Sequence, residues 1–248
     1  MSKNAVDAHS FLRFATDALL YRVLRFVRLP SIDRERQIRL RGEVRLTYRL
    51  NRGDITSIRE VWLDEAYQLP STAKSDVLID LGANIGLTSV WLAKRYGYST
   101  IIAVEPSPTN ARLAQTNLEN NGIAAEIIEA AVGPTDGSAF FEDHEVSTYG
   151  RVNSGGRLVP MLSMQSVFRK LPIGSSVDLV KLDIEGGEEA LLEGDLSWLE
   201  HVQGIIAEFH PSVVDYPRMI KILQDAGFHY IVAGSAHSGS MDTFIRHT

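Results

Sequence analysis

The chain contains no cysteine. That removes thiol nucleophiles, disulfide frameworks and Cys-ligated zinc from consideration. No apolar run approaches the roughly 18 residues that a membrane-crossing helix needs. The first residues also lack the compact apolar region and small-residue cleavage site of a signal peptide, so a cytoplasmic location is the default expectation. Excess positive charge is missing too. Twenty-five Lys and Arg stand against 31 Asp and Glu, a net charge of −6, and a broad nucleic-acid-binding surface is not expected. What remains at 44% hydrophobic and 23% charged residues is an ordinary globule. Its 248 residues suffice for one α/β domain with a sizeable core and an N-terminal extension.

A further absence lies inside the most informative motif. The run Val77-Leu78-Ile79-Asp80-Leu81-Gly82-Ala83-Asn84-Ile85-Gly86 is an apolar strand ending in an acid and a glycine turn. Ile101-Ile102-Ala103-Val104-Glu105 is a second apolar strand ending in another acid. With the helix between them they form the βαβ unit of a nucleotide-binding sheet. A dinucleotide site uses G-x-G-x-x-G, whose middle glycine lets the backbone approach a pyrophosphate. Here only Ala83, Asn84 and Ile85 lie between Gly82 and Gly86. Asp80 would also repel a phosphate, whereas it suits a ligand carrying an ammonium group. Glu105, 23 residues beyond Gly82, suits a ribose diol, because a carboxylate accepts hydrogen bonds from both hydroxyls. Ammonium plus ribose without phosphate describes S-adenosylmethionine. The competing reading is a strand–turn–helix whose glycines serve close packing alone.

Residues 5–29 carry Phe11, Phe14, Leu19, Val23, Phe26 and Val27 at helical spacing, with Arg13, Arg22, Arg25 and Arg28 interleaved. Pro30 ends this helix. It packs on the domain or on a second subunit as a homodimer contact; alternatives are a membrane-surface helix or an acceptor lid. Residues 37–52 alternate in polarity and read as a hairpin turning at Arg41-Gly42-Glu43. Asp54 is expected to cap a short helix, and Pro70 to Ser75 is a linker. Residues 1–75 are thus an N-terminal helix, hairpin and linker, and 76–248 the cofactor-binding domain.

From Asp76 the pattern is βα alternation, which implies a parallel sheet. Strands are expected at 76–81, 100–105, 125–132, 178–183, 204–209, 228–233 and 242–246, and helices at 86–96, 107–121, 187–193 and 213–226. The last strand pair reads as an antiparallel addition at the sheet edge. Ser138–Asp143 is expected as an extra strand, and 144–157 as a polar loop.

Ligands of such sheets bind beyond the carboxyl ends of the strands, and those ends are rich in acids. One strand ends in Lys181-Leu182-Asp183-Ile184-Glu185-Gly186-Gly187-Glu188, another in Glu208-Phe209-His210. Alternation places Asp183 and Glu185 on one face of an extended segment. Glu188 reads as a first-turn helix residue. Asp183 and Glu208 would repel unless a proton or cation lies between them. With His210 they could hold Mg²⁺ or Mn²⁺, or they could bind a polyol acceptor directly.

These residues together resemble the FkbM family of S-adenosylmethionine-dependent methyltransferases. The likeness rests on Val77–Gly86, Val104-Glu105-Pro106, Asn117–Gly122, Ala130-Ala131-Val132-Gly133, the Lys181–Glu188 block and Glu208-Phe209-His210. It covers about residues 55–248, and Lys-x-Asp-x-Glu-Gly-x-Glu is its specific element. One departure is Leu162-Ser163-Met164-Gln165-Ser166, where the family often carries an acid. The resemblance implies a class I methyltransferase fold, Rossmann-like and mostly parallel with an antiparallel last strand. It implies O-methylation of hydroxyls on sugars or secondary metabolites. By analogy Asp80, Gly82 and Gly86 hold the methionine portion and Asn84 lies near its carboxylate. Glu105 takes the ribose, and Ala130 and Ala131 lie beside adenine.

An alkyl hydroxyl is a poor nucleophile at neutral pH, so a base or metal is expected. His144, entering the variable loop, is favoured as base; His210 is the other candidate. Asp183, Glu208 and His210 then organise the acceptor or the metal. Glu60, Trp62 and Tyr67 could close the pocket from the N-terminal side, although Trp62 and Tyr67 also read as core. The acceptor is a small molecule or oligosaccharide, with a polyketide or other secondary metabolite as the alternative. A nucleic-acid methyltransferase is disfavoured by charge. A nicotinamide dehydrogenase is disfavoured by the missing glycine. A non-enzymatic partner protein would have lost the strand-end acids, which are all present.

Overall fold

In the computed structural model the described residues are 15–16, 19, 32–70, 76–142, 151–152, 156–209, 213–234 and 240–246. Most of the helix expected over 5–29 lies outside them, as does the dimer contact expected from it; Ala15, Thr16 and Leu19 are helical. Residues 71–75 of the linker expected over 70–75, and 144–150 and 153–155 of the loop expected over 144–157, are outside as well; within that loop Arg151–Val152 is a strand and Arg157 begins another.

The chain then forms the antiparallel hairpin β1 (Ile32–Leu40) and β2 (Val44–Leu50), with Leu40 opposite Val44. Alternation decides its two faces. Ile38, Leu40, Val44, Leu46, Tyr48 and Leu50 are all buried. Helix α1 (Arg52–Trp62) follows at once. Its N-cap is Asn51, not Asp54. Asn51 keeps an extended backbone and its side chain accepts from the Asp54 amide, whereas Asp54 is already inside the first turn. The Asp54 carboxylate grips Arg49 instead.

The main sheet has seven strands in the order β12-β13-β11-β10-β3-β4-β5. These are β3 (Val77–Leu81), β4 (Thr100–Val104), β5 (Ala125–Ile128), β10 (Leu179–Leu182), β11 (Gly204–Phe209), β12 (Phe228–Gly234) and β13 (Ser240–Arg246). Five adjacent strands are mutually parallel, and β13 is antiparallel to both neighbours. The antiparallel strand therefore sits one position in from the edge, with β12 outside it. A second sheet, β6-β9-β7-β8, comprises β6 (Ala131–Val132), β7 (Gly137–Glu142), β8 (Arg151–Val152) and β9 (Arg157–Leu162). The strand expected over 125–132 is thus two. Ala130 N bonds back to the Ile128 carbonyl at 3.0 Å, and the chain turns there from one sheet into the other.

The helices are α2 (Leu87–Tyr96), α3 (Pro108–Asn120), α4 (Met164–Phe168), α5 (Glu188–Leu192) and α6 (Tyr216–Asp225). Helix α4 was not expected. Ser163 caps it, and Asp136 accepts from the Ser163 amide, the Ser163 hydroxyl and the Ser166 hydroxyl. That carboxylate comes from the turn before β7, so an acid does reach this segment from elsewhere in the chain.

Both faces of the sheet are covered, which explains why β3 and β10 are buried at every residue. On one face Leu78, Ile101, Leu179 and Ile206 share a core with the hairpin, α1, α2 and α3. On the other Ile79, Val104, Val180, Ala207 and Phe209 pack with Val167, Leu191, Leu199 and Leu223. The N-terminal hairpin is thereby part of the main core. Asn117 stitches it in. Its amide accepts from Thr47 N at 2.6 Å and donates to the carbonyls of Thr47 and Ile85 at 3.0 and 2.8 Å.

Candidate cofactor and active site

The strand order reverses direction between β3 and β10, the place at which open parallel sheets take ligands beyond the carboxyl ends of their strands. The turn after β3 lies at that point. Gly82 has φ +73°, and a Cβ on it would lie 1.8 Å from the Asp183 carbonyl oxygen. Gly86 backs onto α3, where a Cβ would come within 2.9 Å of Ala114 Cα. Both glycines are therefore demanded by packing, whatever else they do. Between them Asn84 is left-handed at φ +49°. Its side-chain oxygen is buried and has no hydrogen-bond partner among the described residues.

Beneath the turn lies a buried ion cluster. Parallel register sets Lys181 beside Asp80, and neighbours in register share a face. Lys181 Nζ is 3.3 Å from Asp80 Oδ1 and 3.4 Å from Asp183 Oδ2. It also donates to the carbonyls of Leu81 and Gly82, at 3.2 and 2.6 Å. Burial opposes its charge, yet Asp80 and Asp183 outweigh burial and hold the ammonium well above the ordinary lysine range. Asp80 is fully buried and its second oxygen accepts from Ser89 Oγ at 2.6 Å. The carboxylate that the sequence offered to a ligand's ammonium is thus already facing a lysine. Asp183 keeps 19% of its side chain exposed and is the open end of the cluster. The cation beside Asp183 is Lys181, which lies between Asp183 and Asp80. Lys181 opens the block that carries the resemblance, but the sequence assigns it no role, because that role depends on which strand β10 pairs with.

At the end of β4, Glu105 is nearly buried. Its carboxylate accepts from Asn84 N at 2.8 Å and Ser107 N at 2.9 Å. Burial pushes it up to about 7, while those amides, Lys181 and Asn110 pull it back. Ala130 and Ala131 are buried at the crossing from β5 to β6, next to Ile128, whose carbonyl accepts from Glu105 N.

Leu182 pairs with Ala207, so Asp183 and Glu208 follow neighbouring strand positions at the same edge. Asp183 and Glu185 do not share an extended face. β10 ends at Leu182, and Glu185 has φ +54° in a turn. Glu188 opens α5, is fully buried and accepts from Ile184 N at 2.9 Å, closing that turn.

Two residues of the N-terminal segment reach this cluster. Burial pushes Glu60 up to about 7, and the charges of Asp183 and Asp64 add to it. Tyr67 is buried among the charges of Lys181, Asp183 and Glu208 and bonds Thr88. Trp62 is half-buried against the same core.

His144 and His210 lie outside the described residues. Among the described residues, no three Asp, Glu or His side chains come together as a metal site. The expected Asp183, Glu208 and His210 set therefore has only its two acids in view. No helix among the described residues is long and apolar enough to cross a membrane.

A family model described as the FkbM methyltransferase domain matches residues 80–230. Methyltransferase 1 of Beauveria bassiana is 21% identical over 197 residues, covering 68% of this chain and 79% of that protein. Hexuronic acid methyltransferase AglP of Haloferax volcanii is 24% identical over 185 residues, covering 69% and 75%. Among solved structures, methyltransferase FkbM from Methylobacillus flagellatus KT superposes with a TM-score of 0.50 at 15% identity, over 71% of this chain. This chain spans 45% of that protein's length, and the likeness bears on fold alone.

Proposed function

The chain belongs to the FkbM methyltransferase family, and from that premise we propose that it methylates a hydroxyl of a sugar or oligosaccharide, with S-adenosylmethionine as donor. The observation that carries the cofactor reading is the pairing of two groups at the β3 and β4 ends. The Glu105 carboxylate is pinned by two backbone amides, one of them that of Asn84, whose own side-chain oxygen is buried without a partner among the described residues. A ribose diol and an ammonium group supply the donors these acceptors can take.

In this reading Gly82, Asn84 and Gly86 line the methionine side. Glu105 takes the ribose, and Ala130 and Ala131 border the adenine. Asp80 contributes through Lys181, which braces the Gly82 carbonyl. When bound, the cofactor supplies an activated methyl group on a sulfonium. The protein's part is to align the acceptor hydroxyl with it and to take the hydroxyl proton. Asp183 and Glu208 orient the acceptor from the strand ends, and His144 or His210 takes the proton. Lys181 already compensates Asp183, which supports binding of the acceptor without a metal; Mg²⁺ or Mn²⁺ assistance through Asp183, Glu208 and His210 is the alternative. The sugar class is supported by the name of AglP. A secondary-metabolite hydroxyl is the second reading.

The test is calorimetric titration with S-adenosylmethionine and S-adenosylhomocysteine, with and without Mg²⁺. Positive binding is followed by transfer of labelled methyl to a panel of methyl glycosides. Micromolar binding of both ligands is expected, with heat independent of Mg²⁺. Absence of binding refutes the cofactor reading, and heat that requires Mg²⁺ refutes the metal-free version.

A further inference from the structure

The hairpin is joined to the candidate ribose site by an unbroken line of polar contacts. Asp54, fully buried, accepts from Arg49 three times: from its backbone amide at 2.7 Å, from Nε at 3.0 Å and from Nη2 at 2.9 Å. The Asp54 amide is itself held by Asn51 Oδ1 at 2.8 Å. This fixes the guanidinium as a rigid fork. Its Nη2 donates onward to Asn110 Oδ1 at 2.7 Å. Asn110 is nearly buried at the start of α3, and its Nδ2 points to Glu105 Oε1 at 3.5 Å.

The chemistry of the donors dictates the direction of this line. A guanidinium has no acceptor, so it can meet only the oxygen end of the Asn110 amide. The NH₂ end is thereby turned toward Glu105. Arg49 and the carboxylate thus select the same amide orientation from its two ends, and removing Arg49 takes away the donor that holds the oxygen end. Glu105 is buried, so each donor that faces it helps to keep it ionised and aimed.

We propose that Arg49 is a positioning residue for the cofactor's ribose: through Asn110 it sets the donor side of Glu105, and so makes the N-terminal hairpin part of the cofactor site. The inference rests on the reading of Glu105 as the ribose acceptor. It assigns the segment before the nucleotide-binding domain a role in cofactor recognition, beyond packing.

The experiment uses the full chain and two probes, S-adenosylhomocysteine and its 3′-deoxy analogue, titrated by calorimetry. The unaltered protein is expected to prefer the ribose diol by about 10-fold or more, the loss typical of a hydrogen bond to a charged group. Arg49→Met should bring that ratio close to unity, as should Glu105→Gln. The double variant should be no worse than Glu105→Gln alone, since residues on one line are non-additive. Asn110→Ala removes the donor that faces Glu105 without changing any residue of the hairpin, and it should repeat the result if Arg49→Met unfolds. A purely structural role would lower the melting temperature and leave the ratio unchanged. A ratio within twofold of the unaltered protein's in a folded Arg49 or Asn110 variant overturns the inference while the cofactor reading stands. Failure of the unaltered protein to bind S-adenosylhomocysteine overturns the cofactor reading, and the inference with it.

Discussion

Replacing Gly82 by alanine isolates the cost of the contact between the glycine turn and the end of β10. The backbone at Gly82 is left-handed, at φ +73°, which costs an alanine about 1–2 kcal/mol. The added Cβ would also lie 1.8 Å from the Asp183 carbonyl oxygen and 2.9 Å from its carbon. Both clashing groups are main chain, so neither can swing away. Either the turn lifts or the β10 end shifts, and overpacking of this kind costs about 1–3 kcal/mol or more. The expected total is about 4 kcal/mol, a large share of the 5–15 kcal/mol that holds a typical domain folded. Gly42 is the internal control. It has φ +77° with nothing within 4 Å of its would-be Cβ, so Gly42→Ala should show the backbone cost alone. Urea denaturation of both variants, with m-values compared, separates the two terms. Gly82→Ala should also loosen Lys181, which donates to the Gly82 carbonyl, and weaken S-adenosylhomocysteine binding. If Gly82→Ala is no less stable than Gly42→Ala, the close approach to Asp183 has been misjudged.

Asn117→Ala strips a partner from Thr47 N, Thr47 O and Ile85 O; at about 1 kcal/mol per bond, a loss near 3 kcal/mol is expected, read by denaturation, and under 1 kcal/mol would mean the hairpin is held by its apolar face alone. Glu60 and Glu105 are both pushed up from 4.5 to about 7. A raised carboxyl binds its proton more tightly in the folded chain, so the cofactor-free protein should lose stability as pH rises from about 4.5 to 7 on account of these two groups. Thermal melts of Glu60→Gln against the unaltered protein should show a gain at pH 8 and none at pH 4; a gain of equal size at both would remove titration as the cause. Asp183→Ala should cut single-turnover methyl transfer by about 100-fold or more, while Asp80 keeps Lys181 paired and the chain folded. Activity within a few-fold of the original would move the acceptor site away from the β10 end.

Local pattern made much of the architecture legible. The alternation of Ile38, Leu40, Val44, Leu46, Tyr48 and Leu50 predicts the hairpin and its buried face, because a two-residue period has only one way to bury that set. The acid–glycine turn after Val77 and the second acid at Glu105 locate the ligand end of the sheet, because parallel strands deliver their carboxyl ends to one side. The break at Glu129-Ala130 was not legible. Residues 125–132 are apolar enough for one strand, and only the position of β9 draws Ala131 and Val132 into a second sheet. Helix α4 was missed because its cap is completed by Asp136, 27 residues before Ser163.

The site divides in the same way. Glycine spacing, strand-end acids and the Lys181–Glu188 block are properties of the chain alone, and they carry the family and the sheet. Tertiary structure decided which charges are available. Asp80 and Asp183 look alike in the sequence as strand-end acids, but register puts Lys181 between them, closes Asp80 in and leaves Asp183 partly open. Glu60 and Tyr67 are expected near the pocket from the N-terminal side, but Arg49 and Asp54 read as extension residues; folding brings Glu60 and Tyr67 against Asp183 and Arg49 against Asn110 in the helix that follows β4. Hydrophobic period is written locally along the chain. The partner of a buried charge is set by which strands lie side by side, and that is known only when the sheet is assembled.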